Sequence, residues 1–186
     1  DQSAALVARA DAHARTSGGL TQALKDLDRA IALDGKNARA YRLRGDLMRE
    51  AGGDQAKAAA DLSTAISLDP NDAEAFELRG VVYTRQRRLD RALADYDQAI
   101  RLKPGYAQAY ADRGVAFYLS GDNEKAVRDY DEAIRLDPDR PRTFTNRGAA
   151  YKKLGEMDKA LADDGEAIRR DPKEPEYSDN RGSTLF

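Results

Sequence analysis

The side chains of this sequence that could do chemistry are overwhelmingly arginines and carboxylates. There is a single histidine, His13, and no cysteine. Without a thiol or a second imidazole, a disulfide, a histidine–cysteine nucleophile pair and a cysteine- or histidine-based zinc site are all excluded. A lone helical histidine is far more often a surface or packing residue than a catalyst. The segment LDPNDAE is acidic, but it lacks the glycine and terminal glutamate of a calcium loop. No phosphate loop or dinucleotide fingerprint is present, and Gly114-Val115-Ala116 with its counterparts reads as helix-packing glycine. No catalytic constellation, metal or cofactor is therefore expected. What remains is binding chemistry, carried by charge and hydrogen bonds.

Composition narrows the partner. Thirty-one basic residues stand against 33 acidic ones, a formal charge of −2. That balance argues against nucleic acid or an anionic membrane as the main partner. No apolar run approaches the roughly 18 residues of a membrane span. Charged residues make up 34% and hydrophobic ones 41%. Such a mixture is polar for a globule but ordinary for an array whose units touch only their neighbours. The chain opens on Asp1 rather than methionine. Export processing and trimming would both give that start, so cytoplasmic and exported locations stay open.

The residues that recur also define the elements that position them. Arg-Gly pairs stand at Arg44-Gly45, Arg79-Gly80, Arg113-Gly114, Arg147-Gly148 and Arg181-Gly182, spaced 35, 34, 34 and 34 residues apart. Segments of the type DYDQAIRLKP end at Pro70, Pro104, Pro138 and Pro172, and an earlier copy ends at Gly35. The repeats run 4–37, 38–72, 73–106, 107–140 and 141–174, and residues 175–186 begin a truncated sixth. Within the unit, position 4 (Val7, Tyr41, Phe76, Tyr110, Phe144) and position 11 (Ala14, Met48, Tyr83, Phe117, Tyr151) lie seven apart on one helical face. Alanine holds positions 20 and 27 throughout, and isoleucine holds position 28. A glycine turn separates two helices, and the closing Asp-Pro ends the second.

This pattern resembles the tetratricopeptide repeat family, and the likeness covers essentially the whole chain. It implies an all-α fold, a right-handed solenoid of antiparallel helix pairs whose first helices line a concave face. The departures lie at the ends. Repeat one has Asp11 in place of glycine, repeat five has Asp164 where an aromatic belongs, and the sixth fragment has Ser178 at position 4.

Position 7, apolar in the family, is arginine in repeats two to six, and position 23 is aspartate in repeats one to five. Pairing within repeats leaves Asp26 and Arg181 over, because repeat one has Ala10 at position 7. Pairing across the junctions, Asp26 with Arg44 through Asp163 with Arg181, gives a constant separation of 18 and no remainder. A ladder between repeats is the expectation, with these arginines as junction glue.

By the resemblance, positions 2, 5, 9 and 12 face the groove. The candidate partner-binding residues are Arg15, Arg39, Arg42, Arg49, Glu77, Val81, Thr84, Gln108, Val115, Tyr118, Arg142, Thr145 and Lys152. Basic flanks around a milder middle suit a protein or peptide partner with acidic groups and one or two apolar anchors. Members that clamp a chaperone's C-terminal carboxylate need a lysine–asparagine pattern that neither register supplies here. The expected function is a protein-interaction scaffold, with no enzymatic activity. The alternative is a structural module that self-associates through its ends, since an incomplete terminal unit favours stacking.

Overall fold

The computed structural model describes residues 2–175, and among these it contains ten α-helices and no strand. They are α1 (Gln2–Ala14), α2 (Leu20–Leu33), α3 (Ala38–Glu50), α4 (Gln55–Leu68), α5 (Ala73–Arg85), α6 (Leu89–Leu102), α7 (Ala107–Ser120), α8 (Asn123–Leu136), α9 (Pro141–Lys153) and α10 (Met157–Arg170). Two helices fall in each of the five repeats. The chain divides into two compact units. Unit 1, Asp1–Arg88, holds α1 to α5, and unit 2, Leu89–Phe186, holds α6 to α10. The sixth fragment, with Ser178 and Arg181, lies outside the described residues apart from its first position.

Local sequence sets the helix ends. Asn37, Asp54, Asp72 and Asp122 accept hydrogen bonds from free backbone N–H groups of the first turns of α3, α4, α5 and α8. At the other end Asp34, Asp69, Asp137 and Asp171 leave the helix with φ between −143° and −133°. For the last three, the following proline pushes its predecessor out of the helical region. The turn within each pair needs a left-handed residue at position 15. Gly18, Gly52, Gly121 and Gly155 fill it with φ of 79°, 64°, 89° and 78°, and in repeat three Arg87 fills it at 60°.

Alanine at positions 20 and 27 is at most 1% exposed in every repeat, which lets the helices approach closely. The large side chains under this contact come from position 24: Leu27, Leu62, Tyr96 and Tyr130 are also at most 1% exposed. The glycine of the Arg-Gly pair makes room for them. A Cβ on Gly114 would sit 2.6 Å from Tyr130 Cε1, and one on Gly45 would sit 2.8 Å from Leu62 Cγ. Repeat five fills position 24 with Asp164, equally buried.

The aromatics at positions 4 and 11 are less enclosed than a core reading of their period implies. Tyr41, Phe76, Tyr83, Tyr110, Phe117 and Tyr151 are half-buried, and Phe144 is buried. Their lid is the arginine at position 7. The guanidinium carbon of Arg113 lies 5.5 Å from the Tyr110 ring centre and 5.9 Å from that of Phe117, and Arg147 lies 5.6 and 5.8 Å from those of Phe144 and Tyr151. Positions 4, 7 and 11 share one helical face, so a cation can lie between two rings.

Candidate partner-binding face

The conspicuous arginines take a different pairing from the expected one. Arg44, Arg113 and Arg147 each grip the position-23 aspartate of their own repeat through Nε and Nη2, at 2.6–2.8 Å to Asp61, Asp129 and Asp163. Their Nη1 then crosses the junction to position 25 of the preceding repeat: Asp28 at 2.7 Å, Asp97 at 2.6 Å and Asp131 at 2.6 Å. Arg79 makes the same crossing to Ser63 Oγ at 3.0 Å. A ladder between repeats therefore exists within each unit, but position 25 carries it. The unpaired Asp26 of the sequence reading is also accounted for. Arg9, one residue before Ala10, donates to it at 2.7 and 2.6 Å, and His13 Nε2 stands 3.8 Å away. These forks hold Arg44 and Arg113 above the ordinary guanidinium range, through the hydrogen bonds they donate to Asp61 and Asp129. Arg44, Arg79, Arg113 and Arg147 are thus tied into the repeat junctions.

The first helices of successive repeats pack side by side, α1 with α3 and α3 with α5 in unit 1, and α7 with α9 in unit 2. In unit 1 they enclose a depression of about 270 Å³ lined by Asp11, Arg15, Arg39, Arg42, Leu43, Asp46 and Glu74. Its cations are largely neutralised from within. Arg42 pairs with Asp72 at 2.9 Å and with Glu74. Arg49, outside the depression, pairs with Asp46 at 2.5 Å and Glu50 at 3.4 Å. Arg15 reaches Asp11 at 3.2 Å across open solvent. Arg39 is exposed, and among the described residues no carboxylate is within ion-pair distance of it. Glu77 is buried, Val81 is half-buried, and Thr84 Oγ1 donates to the Gly80 carbonyl at 3.0 Å.

Unit 2 offers more room. Between α7 and α9 lies an open cavity of about 640 Å³, lined by Gln108, Ala111, Asp112 and Val115 on one side and Pro141, Arg142, Thr143 and Asn146 on the other, with Asp139, Arg140 and Asp171 at its rim. Gln108 Nε2 donates to Asp112 Oδ2 at 2.8 Å, and its Oε1 accepts from Arg140. Arg142 is exposed with no carboxylate at ion-pair distance among the described residues. Of the six residues named in this unit, Gln108, Val115 and Arg142 converge here. Thr145 sits beside the Pro141 carbonyl at 3.5 Å, and Lys152 lies 3.5 Å from the buried Asp164. Tyr118 is half-buried against the cluster of Ala126, Tyr130 and Ala150. Asp112 and Asn146, both at position 6, were missed as cavity residues. The signal was available: position 6 lies one turn from positions 2 and 9 on the same face.

The helix pairs, their alanine contacts and their repeated caps define a helical-repeat protein. The tetratricopeptide repeat profile matches residues 7–73 and 49–107, a second tetratricopeptide profile matches 141–174, and a TPR repeat profile matches 116–155. The chain belongs to the tetratricopeptide repeat family. No curated protein sequence matches it. Among solved structures it resembles MamA, at 25% identity and a TM-score of 0.76, over 88% of this chain and 95% of that one. YrrB, described as a TPR protein with an unusual peptide-binding site, superposes with a TM-score of 0.75 at 21% identity, over 95% and 90% of the two chains. The Cut9–Hcn1 hetero-tetramer structure gives 0.83 at 20% identity, over 91% of this chain and 34% of that one. The last two likenesses speak for the fold alone. Among the described residues no helix is long and apolar enough to cross a membrane, and no cluster of three potential metal ligands exists.

Proposed function

We propose that this chain is a protein-interaction scaffold that holds an extended partner segment in the α7–α9 cavity. The observation that carries this reading is the cavity itself. Its volume of about 640 Å³ lies in the range of ligand sites, and its walls mix the apolar Ala111 and Val115 with the hydrogen-bonding Gln108, Thr143 and Asn146. An extended peptide needs both kinds of wall, polar groups for its backbone and apolar contact for a side chain. Arg142, exposed and with no carboxylate at ion-pair distance among the described residues, suits an acidic residue of that segment. The unit 1 depression is a weaker candidate, because Asp72 and Glu74 already occupy Arg42.

The test is affinity capture with a photo-crosslinker placed at the partly exposed Asn146, followed by Gln108→Ala/Arg142→Glu. The double variant is expected to lose the crosslinked partner while its far-UV circular dichroism stays that of the parent. Undiminished capture would show that the segment binds elsewhere.

A further inference from the structure

We infer that the turn following α5, built on Arg85, Arg87 and Arg88, is a second docking surface whose occupant is an acidic segment of a partner protein. It is separate from the α7–α9 cavity and does not depend on that reading. All three arginines are exposed, and among the described residues no carboxylate is within ion-pair distance of any of them. At three of the other turns a cation has a carboxylate close by in sequence. Arg15 has Asp11, Lys125 has Asp122 and Lys159 has Glu156. The C-terminal end of α5 accounts for one cation, Arg85, through the helix dipole. It does not account for three.

Two of the three are held in place by their own contacts. Arg85 Nη1 donates to the Arg49 carbonyl at 2.6 Å. Arg88 lies over the Tyr83 ring at 5.2 Å and reaches Gln86 Oε1 at 3.4 Å. Each spends part of its guanidinium on the protein and leaves N–H groups directed elsewhere. Arg87 is the telling residue. It occupies the left-handed position, φ 60°, that glycine fills in the turns of the other four repeats. A β-carbon is strained there and glycine is not, so this turn carries a side chain against its backbone preference. That side chain is a cation with no partner within the described protein.

A guanidinium fork matches a carboxylate with two parallel hydrogen bonds, and three forks on one turn match a short run of acidic residues. A nucleic acid fits less well. The patch is one turn long, and the chain as a whole carries 33 acidic against 31 basic residues.

The test uses fluorescence anisotropy with a fluorescein-labelled hexaglutamate peptide at low salt, compared with a twelve-nucleotide single-stranded DNA. The parent is expected to bind the peptide, and binding is expected to fall as salt is added. Arg87→Gly should weaken it about fivefold, the scale of one exposed charge pair, and Arg87→Gly/Arg88→Gln should weaken it further. Arg87→Gly should also melt at a higher temperature than the parent, so weaker binding cannot come from misfolding. Peptide binding unchanged in Arg87→Gly would overturn the inference. So would DNA held more tightly than the peptide by the same arginines.

Discussion

Arg9 in unit 1 and Arg147 in unit 2 grip the same kind of carboxylate from different places. Arg147 stands at position 7, forks onto Asp163, extends Nη1 to Asp131 and stacks beside Phe144 and Tyr151. Arg9 stands one residue earlier and forks onto Asp26 through Nε and Nη2. Its side chain is 54% exposed against 19% for Arg147, although their aspartates are similarly buried at 4% and 5%. The two carboxylates respond in opposite directions. The hydrogen bonds from Arg9 hold Asp26 below the usual carboxylate range, with Gln22 and His13 helping. Burial pushes Asp163 up against the pull of Arg147, and Asp129 up against that of Arg113. The same ion pair is thus dominated by attraction where water reaches the cation and by desolvation where it does not.

The largest break in this comparison is expected from removing the cations. Arg147→Ala leaves Asp163 buried without its fork and removes the cation from between Phe144 and Tyr151, and should cost about 3 kcal/mol in thermal or urea unfolding. Arg9→Ala should produce a clearly smaller fall in melting temperature, because water already solvates its end of the pair. Equal losses would mean that exposure does not separate the two sites. Packing beneath the rungs gives a smaller effect. Gly114→Ala drives a Cβ to within 2.6 Å of Tyr130 and should cost about 2 kcal/mol, whereas on Gly148 the nearest atom is Asp164 Oδ1 at 3.3 Å and the loss should be less. If both alanine variants unfold together, position 24 does not set the tolerance of position 8.

Acid gives the finest comparison. The folded value of Asp26 is lowered, so its contribution to stability is present above about pH 4 and is lost as pH falls through that lower value. The folded values of Asp129 and Asp163 are raised, so the folded state takes up protons before the unfolded chain does. Their contribution makes the fold relatively more stable as pH falls from the raised value toward about 4. Carboxyl carbon NMR titration should place Asp26 below free aspartate and Asp163 above it. Coincident midpoints would abolish the contrast.

How much of this was legible in the residues varies with the distance over which they act. The turn glycines, the Asp-Pro exits and the buried alanines are local or follow the period, and each lies where the 34-residue register puts it. The rungs did not follow from counting. Positions 23 and 25 are two residues apart, roughly 200° around a helix, so they face different neighbours, yet both are aspartate in several repeats. Equal spacing favoured position 23 for the crossing. A long arginine instead takes both, one with each edge of its guanidinium. Excluding Arg9 because position 7 was alanine was a similar error of counting, since an arginine stem spans the offset of one residue. The groove list divided in the same way. Arg42 and Arg49 looked like free cations until Asp72, Glu74 and Asp46 were found beside them. Asp112 and Asn146, neither conspicuous in sequence, line the larger cavity.

By itself the sequence determined the helical repeat and its register, because apolar period, glycine turns and proline exits act within a few residues of chain. It also determined which residues are charged, and that they balance. Only the tertiary structure decided which charges meet. Contacts between α-helices depend on rotation about the helix axis, and one residue of offset turns a side chain by about 100°. That rotation assigns Arg44, Arg113 and Arg147 to architecture and, among the described residues, leaves Arg142, Arg85, Arg87 and Arg88 without a carboxylate at ion-pair distance.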